Sequence, residues 1–284
     1  RSYSVTGVQT CALPIFGTVY LAQDLTLERS AALKVLHPAL AADVDFLDRF
    51  RQEARVAARF RHPNLVGVYE VGEEQGRFFI AMEYMPGGSL KGRLEQQGRL
   101  SYAESSRILQ QVCTGLQLAH SQGLVHRDVK PGNILFSAEG QAVLSDFGLV
   151  KAASLSSGSA SSSGMVGTPF YKAPELWLGK PPASPATDVY ALACVLYEML
   201  SGELLFPGDT PDQVSARHLV LEPDFSSGWL PEDAPQGLEA VLRKALARDP
   251  SQRYADAGVF VQALQALEAP HRSMVSKLER KVND

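Results

Sequence analysis

The sequence predicts an α+β fold of two lobes: a small antiparallel β lobe carrying one helix, then a larger and mainly helical lobe. Three observations predict it. Short, β-rich apolar runs at 17–22, 31–36, 66–71 and 78–84 fill the first part of the chain. Helical patterns at 101–121, 187–201, 212–219, 237–247 and 255–269 fill the rest. Between them, Pro86, Gly87 and Gly88 read as a connector. Strands first and helices afterwards segregate the two element types into separate layers, and 284 residues are enough to give each lobe a core.

The elements follow in order. Residues 1–15 carry neither a basic-plus-apolar signal peptide nor a periodic strand. Residues 5–15 resemble the in-frame translation of a sequencing-adapter oligonucleotide, so 1–15 is set apart as a non-native segment and the genuine frame is expected to begin near Phe16. The runs 17–22 and 31–36, separated by a polar turn, predict an antiparallel pair. Over 45–60, Phe46, Phe50, Ala54, Ala57 and Ala58 recur near helical spacing with charges opposite, which predicts one amphipathic helix. His62-Pro63-Asn64 ends it, and two more strands flank a turn at 73–76. The small lobe is thus placed at 16–85, the large lobe at 86–268, and a tail or linker start at 269–284.

Composition narrows the function. With 45% hydrophobic residues, 20% charged residues and a net charge of -4, the chain is of ordinary globular make-up and offers no argument for nucleic acid as a partner. Cys11, Cys113 and Cys194 are too few and too far apart for a disulfide framework or a zinc site, and a reducing compartment fits them. The most apolar stretch, 189–200, is too short to span a bilayer, which needs about 20 residues, and reads as a buried core helix. His62 and His120 lack a metal or triad spacing and read as structural.

The chemistry is concentrated in three motifs: Leu124-Val-His-Arg-Asp-Val-Lys-Pro-Gly-Asn-Ile-Leu135, Leu144-Ser-Asp-Phe-Gly148 and Lys172-Ala-Pro-Glu175. Asp128 and Asn133 on one loop, with Asp146 on the next turn, can orient a hydroxyl and bind two magnesium ions. Phosphoryl transfer needs little beyond such positioning and charge neutralisation.

These motifs resemble the catalytic core of eukaryotic-type (Hanks-type) serine/threonine protein kinases of bacterial style, and the resemblance runs from Phe16 to about Leu267. Asp188-Val-Tyr-Ala-Leu192 and Tyr197-Glu-Met-Leu-Ser-Gly202 extend it into the large lobe. It implies a protein-kinase-like fold, ATP and Mg²⁺ as cofactors, and transfer of the γ-phosphate to protein serine and threonine hydroxyls. It further implies Asp128 as catalytic base, Lys130 neutralising the γ-phosphate, Asn133 and Asp146 as metal ligands, and Thr168 hydrogen-bonding Asp128 and Lys130. Lys34 would hold the α- and β-phosphates and pair with Glu53. Val19, Ala32 and Leu135 would sandwich adenine, with Met82 behind it and Glu83 and Met85 supplying backbone hydrogen bonds. Glu175 would form a buried ion pair with Arg253. His126, Phe147, Ala57 and Val68 would stack into a spine joining the lobes.

Arg127 beside the base marks kinases switched on through the activation segment, and 152–164, with seven serines and two glycines, invites autophosphorylation that self-association would serve. The one departure is the glycine-rich loop, where Ala12 and Pro14 stand for glycines and only Gly17 remains. That departure raises the alternative of an impaired or pseudokinase-like nucleotide-binding scaffold. The expected setting is cytoplasmic, including that of an intracellular domain of a longer membrane-anchored protein, with no membrane span in this chain.

Overall fold

The computed structural model describes residues 3–8, 17–59, 61–146, 169–225 and 229–268. Its small lobe is a five-stranded antiparallel sheet of β1 (Tyr3–Val8), β2 (Gly17–Asp24), β3 (Arg29–Leu36), β4 (Val68–Glu74) and β5 (Arg77–Glu83), in the order β1-β2-β3-β5-β4. The β2–β3 hairpin closes because Asp24 Oδ1 accepts the backbone N–H groups of Thr26 and Leu27 at 3.0 and 3.1 Å, an Asx turn that fixes the register Val19↔Lys34. Gly17 begins β2 where an added Cβ would lie 2.0 Å from the Val35 carbonyl oxygen. A side chain there would break the pairing.

Two helices precede β4, the single turn α1 (Pro38–Ala41) and α2 (Val44–Ala57). Leu47, Phe50 and Ala54 bury one face of α2 against Leu36, Ile80 and Met82. The helix is shorter than its apolar pattern suggests: Ala58 lies beyond its end and is exposed. The strand β1 is a correction to the sequence reading, which sees no strand in the first fifteen residues. An edge strand needs a partner on one side only, and β1 takes β2, with a bulge between Val5 and Gly7 and the Tyr3 ring set edge-on to Phe79.

Beyond the covalent connector after β5, the two lobes meet through the segment between α2 and β4. Val66 N–H donates to the Leu144 carbonyl and Leu144 N–H to the Asn64 carbonyl, both at 2.9 Å, while the Asn64 amide donates to the Ala142 carbonyl at 2.8 Å. The join is close-packed, since a Cβ on Gly115 would sit 2.7 Å from Leu65 Cδ2.

The large lobe contains α3 (Leu90–Gln97), α4 (Tyr102–Ser121), β6 (Ile134–Phe136), β7 (Ala142–Leu144), α5 (Pro174–Leu178), α6 (Pro185–Ser201), α7 (Pro211–Val220), α8 (Leu238–Ala245) and α9 (257–268). Helix α4 starts at Ser101, whose hydroxyl accepts Glu104 N–H, and Asp233 accepts the next two orphan donors, Tyr102 and Ala103 N–H. Helix α6 is the centre of the core. From Ala186 to Leu200 every residue but Glu198 is buried, as expected of a stretch too short to cross a bilayer. No helix among the described residues is long and apolar enough to cross a membrane. Glu175 and Arg253 meet in a doubly hydrogen-bonded pair at 2.9 and 2.8 Å with both side chains buried. Cys113 and Cys194 are free, buried thiols, and burial raises both above the ordinary cysteine range; Cys11 lies outside the described residues.

Candidate active site

The loop bearing Asp128 hangs from the first turn of α6. His126 and Arg127 donate their backbone N–H groups to Asp188 Oδ2 and Oδ1, each at 2.8 Å, and His120 Nε2 lies 2.8 Å from Oδ2. Two consecutive amides aimed at one buried carboxylate force a sharp turn, and Arg127 takes the left-handed conformation at φ 68, which a side chain other than glycine adopts at a cost. Asp188 is the residue whose role the sequence did not reveal. His126, fully buried, accepts Asp128 N–H on Nδ1 at 3.2 Å, so Nε2 carries the proton and donates to the Ser145 carbonyl at 2.8 Å. The loop is thereby tied at one end to α6 and at the other to the strand that leads to Asp146.

The three polar residues of the loop converge. Lys130 Nζ lies 2.7 Å from Asp128 Oδ2, and the Asn133 amide donates to the same oxygen at 3.0 Å and to the Asp128 carbonyl at 2.8 Å. The Asn133 carbonyl in turn accepts the N–H and the hydroxyl of Ser145 at 2.8 and 3.0 Å. That contact sets the position of the next residue, Asp146, itself held at φ 62.

Across the cleft, Lys34 on β3 extends its ammonium to Asp146 Oδ1 at 2.8 Å, joining residues 112 apart in sequence. Burial would raise the Asp146 carboxyl. The charge and hydrogen bond of Lys34, with the charge of Lys130, outweigh it and hold the group below its ordinary value. Asp146 is therefore a carboxylate at neutral pH.

The donor set suits magnesium. Asn133 spends its amide nitrogen on Asp128 and Asp146 spends Oδ1 on Lys34, which leaves one hard oxygen on each side chain as a ligand. No group of three or more His, Cys, Asp or Glu side chains able to hold a metal occurs among the described residues. A cation here would take most of its ligands from phosphates and water, as Mg²⁺ does.

Of the remaining predicted residues, Val19, Ala32 and Met82 fall in one apolar cluster with α2, Ala32 opposite Met82 in the sheet. Met85 is buried and Leu135 partly buried outside that cluster, Leu135 bridging to Ser89 where the chain enters the large lobe. Glu83 donates its backbone N–H to the Gly67 carbonyl at 2.8 Å. Glu53 lies on α2, but its side chain, like that of Ala57, falls outside the described residues. So do Thr168, Phe147, the loop with Ala12 and Pro14, and the serine-rich stretch 152–164.

Comparison with known proteins identifies the family. The protein kinase domain model matches residues 15–270. The chain is 40% identical over 262 residues to the serine/threonine-protein kinase PknA of Mycobacterium tuberculosis, covering 90% of this chain and 59% of that protein. It is 38% identical over 236 residues to the serine/threonine-protein kinase PrkC of Bacillus subtilis, covering 83% and 36%. The chain thus spans about a third to three-fifths of the length of these curated relatives. The crystal structure of a mutant Mycobacterium tuberculosis PknI kinase domain superimposes with a TM-score of 0.72 at 30% identity, over 93% of this chain and 95% of that one. With the two-lobed fold and the converging polar groups, these matches show that the chain belongs to the protein kinase domain family.

Proposed function

We propose that this domain is a serine/threonine protein kinase that moves the γ-phosphoryl group of ATP to hydroxyls of protein substrates. The observation that carries the reading is the Lys34–Asp146 pair, which brings an ammonium of the small lobe to the edge of the Asp128, Lys130 and Asn133 cluster. In this reading the Asp128 carboxylate accepts the proton of the acceptor hydroxyl while the hydroxyl oxygen attacks the γ-phosphorus. The bond to the β-phosphate oxygen breaks, and ADP leaves. Lys130, already beside Asp128, neutralises the charge that gathers on the transferred group. Lys34 steadies the α- and β-phosphates, and Asn133 and Asp146 hold the metal. A magnesium ion held by Asn133 and Asp146 would supply positive charge against the phosphate oxygens.

Arg127 supports activation through a phosphate. Its guanidinium Nε is buried with no hydrogen-bond partner among the described residues, and a phosphoserine from 152–164 would supply the acceptor. Two copies meeting transiently would deliver that phosphate to each other. The test is incubation of the chain and its Asp128→Asn variant with radiolabelled ATP and Mg²⁺. Label in the parent and none in the variant is expected; equal labelling overturns the assignment.

A further inference from the structure

Helix α7 is ten residues long but buries only Val214 and His218, whereas α6 buries fourteen of its seventeen. Half of the buried anchor of α7 is therefore a histidine. Its Nδ1 lies 2.8 Å from the Tyr190 hydroxyl of α6, with Phe206 edge-on at 4.9 Å, and the helix also packs on α5 and on the 3-10 turn Pro169–Tyr171. Such a site suits a neutral ring and not a charged one. An imidazolium has two N–H donors to place, and Nε2 is buried without a hydrogen bond of normal geometry among the described residues. The Phe170 backbone, on the turn, offsets the burial of the ring only in part.

The charged groups packed round this helix give a proton no counter-ion. On α5, Glu175 is taken by Arg253 and by the Thr187 hydroxyl. At the turn, Tyr171 binds Glu198, and Lys172 after it rests on the Trp177 ring. Arg253 lies 4.9 Å from the centroid of the Tyr190 ring, so a cation already stands beside the residue that His218 touches. On α7 itself, Asp212 is exposed in the first turn and Arg217 donates to the Pro207 carbonyl; past its end, Arg248 donates to the Val220 carbonyl and pairs with Glu222 at 2.6 Å. A charged ring left in such surroundings would be relieved by reaching water.

We propose that His218 makes α7 an acid-released latch: a proton taken up by the ring frees the helix from α6 and from the 169–171 turn while the rest of the large lobe stays folded. With only two buried side chains, α7 is the kind of element that opens ahead of the core. In the closed helix burial keeps the ring neutral down to about pH 4, whereas the released ring takes a proton at its ordinary 6.5. Between those values the released form binds a proton that the closed form refuses, so opening gains about tenfold for each pH unit lost.

The test is hydrogen exchange of the whole chain at pH 7 and pH 4.5, with rates corrected for the intrinsic pH dependence of amide exchange. The opening constant of the α7 amides should rise on the order of fiftyfold between the two, while the α4 amides, reached only by unfolding of the lobe, stay far better protected at both. His218→Gln and His218→Leu, one polar and one apolar, should each hold the rise to within about twofold, since neither side chain titrates. An α7 whose opening is independent of pH, an α7 that opens only together with α4, or a rise that persists in either variant overturns the proposal.

Discussion

The two sides of the cleft are held in place very differently. The loop of Asp128 is bound to its own lobe by a chain of buried hydrogen bonds running through Asp188, His126, Asn133 and Ser145. Lys34, on the opposite side, stands on a sheet that meets the large lobe through the connector after β5, through a short backbone bridge at Leu65–Leu144 and through the Lys34 bond to Asp146. The contrast teaches that the groups proposed to move the proton are positioned before any ligand arrives. The group proposed to hold phosphates depends on how the lobes sit together.

The sharpest way to break this contrast is Asp188→Ala, which strips the acceptor from two buried backbone donors and from His120. Leaving such groups unpaired should cost about 3–5 kcal/mol of stability, read from urea unfolding. Turnover should fall at least a hundredfold, on the order expected when reacting groups shift by an ångström. Glu175→Ala strands the buried Arg253 guanidinium and should destabilise by about 3–5 kcal/mol, again by urea midpoint, with the loss confined to the large lobe.

The buried large lobe also carries a pH dependence. His218 is buried, with Nδ1 2.8 Å from the Tyr190 hydroxyl and Phe206 edge-on to its ring, and burial pushes its pKa down from 6.5 to about 4. Between those values the unfolded chain takes up a proton that the folded chain refuses. The stability is therefore complete above pH 6.5 and falls by about 3 kcal/mol as pH drops toward 4. Denaturation curves at pH 7 and pH 4.5 should show the loss, and His218→Gln should flatten it.

Smaller effects sharpen the seam. Gly115→Ala presses a methyl against Leu65 Cδ2 and the Asn64 carbonyl and should cost about 1–3 kcal/mol. Because the displaced segment is one of the links between lobes, the KM for ATP should rise along with it. The smallest effect belongs to the small lobe's surface, where Arg51→Ala loses a 3.4 Å contact with Glu73 and should change stability by less than about 1 kcal/mol.

The sequence announces the residues gathered in the cleft more readily than the framework that gathers them. Asp128, Lys130 and Asn133 fall in one run of ten residues and Asp146 in another, so their types and spacing can be read together. Asp188 is some sixty residues from the loop it holds, and although its run resembles the family's, nothing local says which backbone groups its carboxylate binds. The long strands and helices were legible because apolar periodicity needs several repeats to register. The three-residue strands β6 and β7 and the short helices α1 and α5 lack those repeats, and β1 owes its pairing to the backbone of β2 rather than to a pattern of its own.

The central claim is that the groups on the two sides of the cleft serve one reaction. A double-mutant cycle on kcat/KM for phosphorylation of a protein substrate, using Lys34→Met, Asp146→Asn and both together, tests it most directly. Residues acting as a unit are strongly non-additive: each single change should remove about a thousandfold, and the double change should cost little more than the worse single one. Losses that multiply, so that the double variant falls by the product of the two, would contradict a shared site.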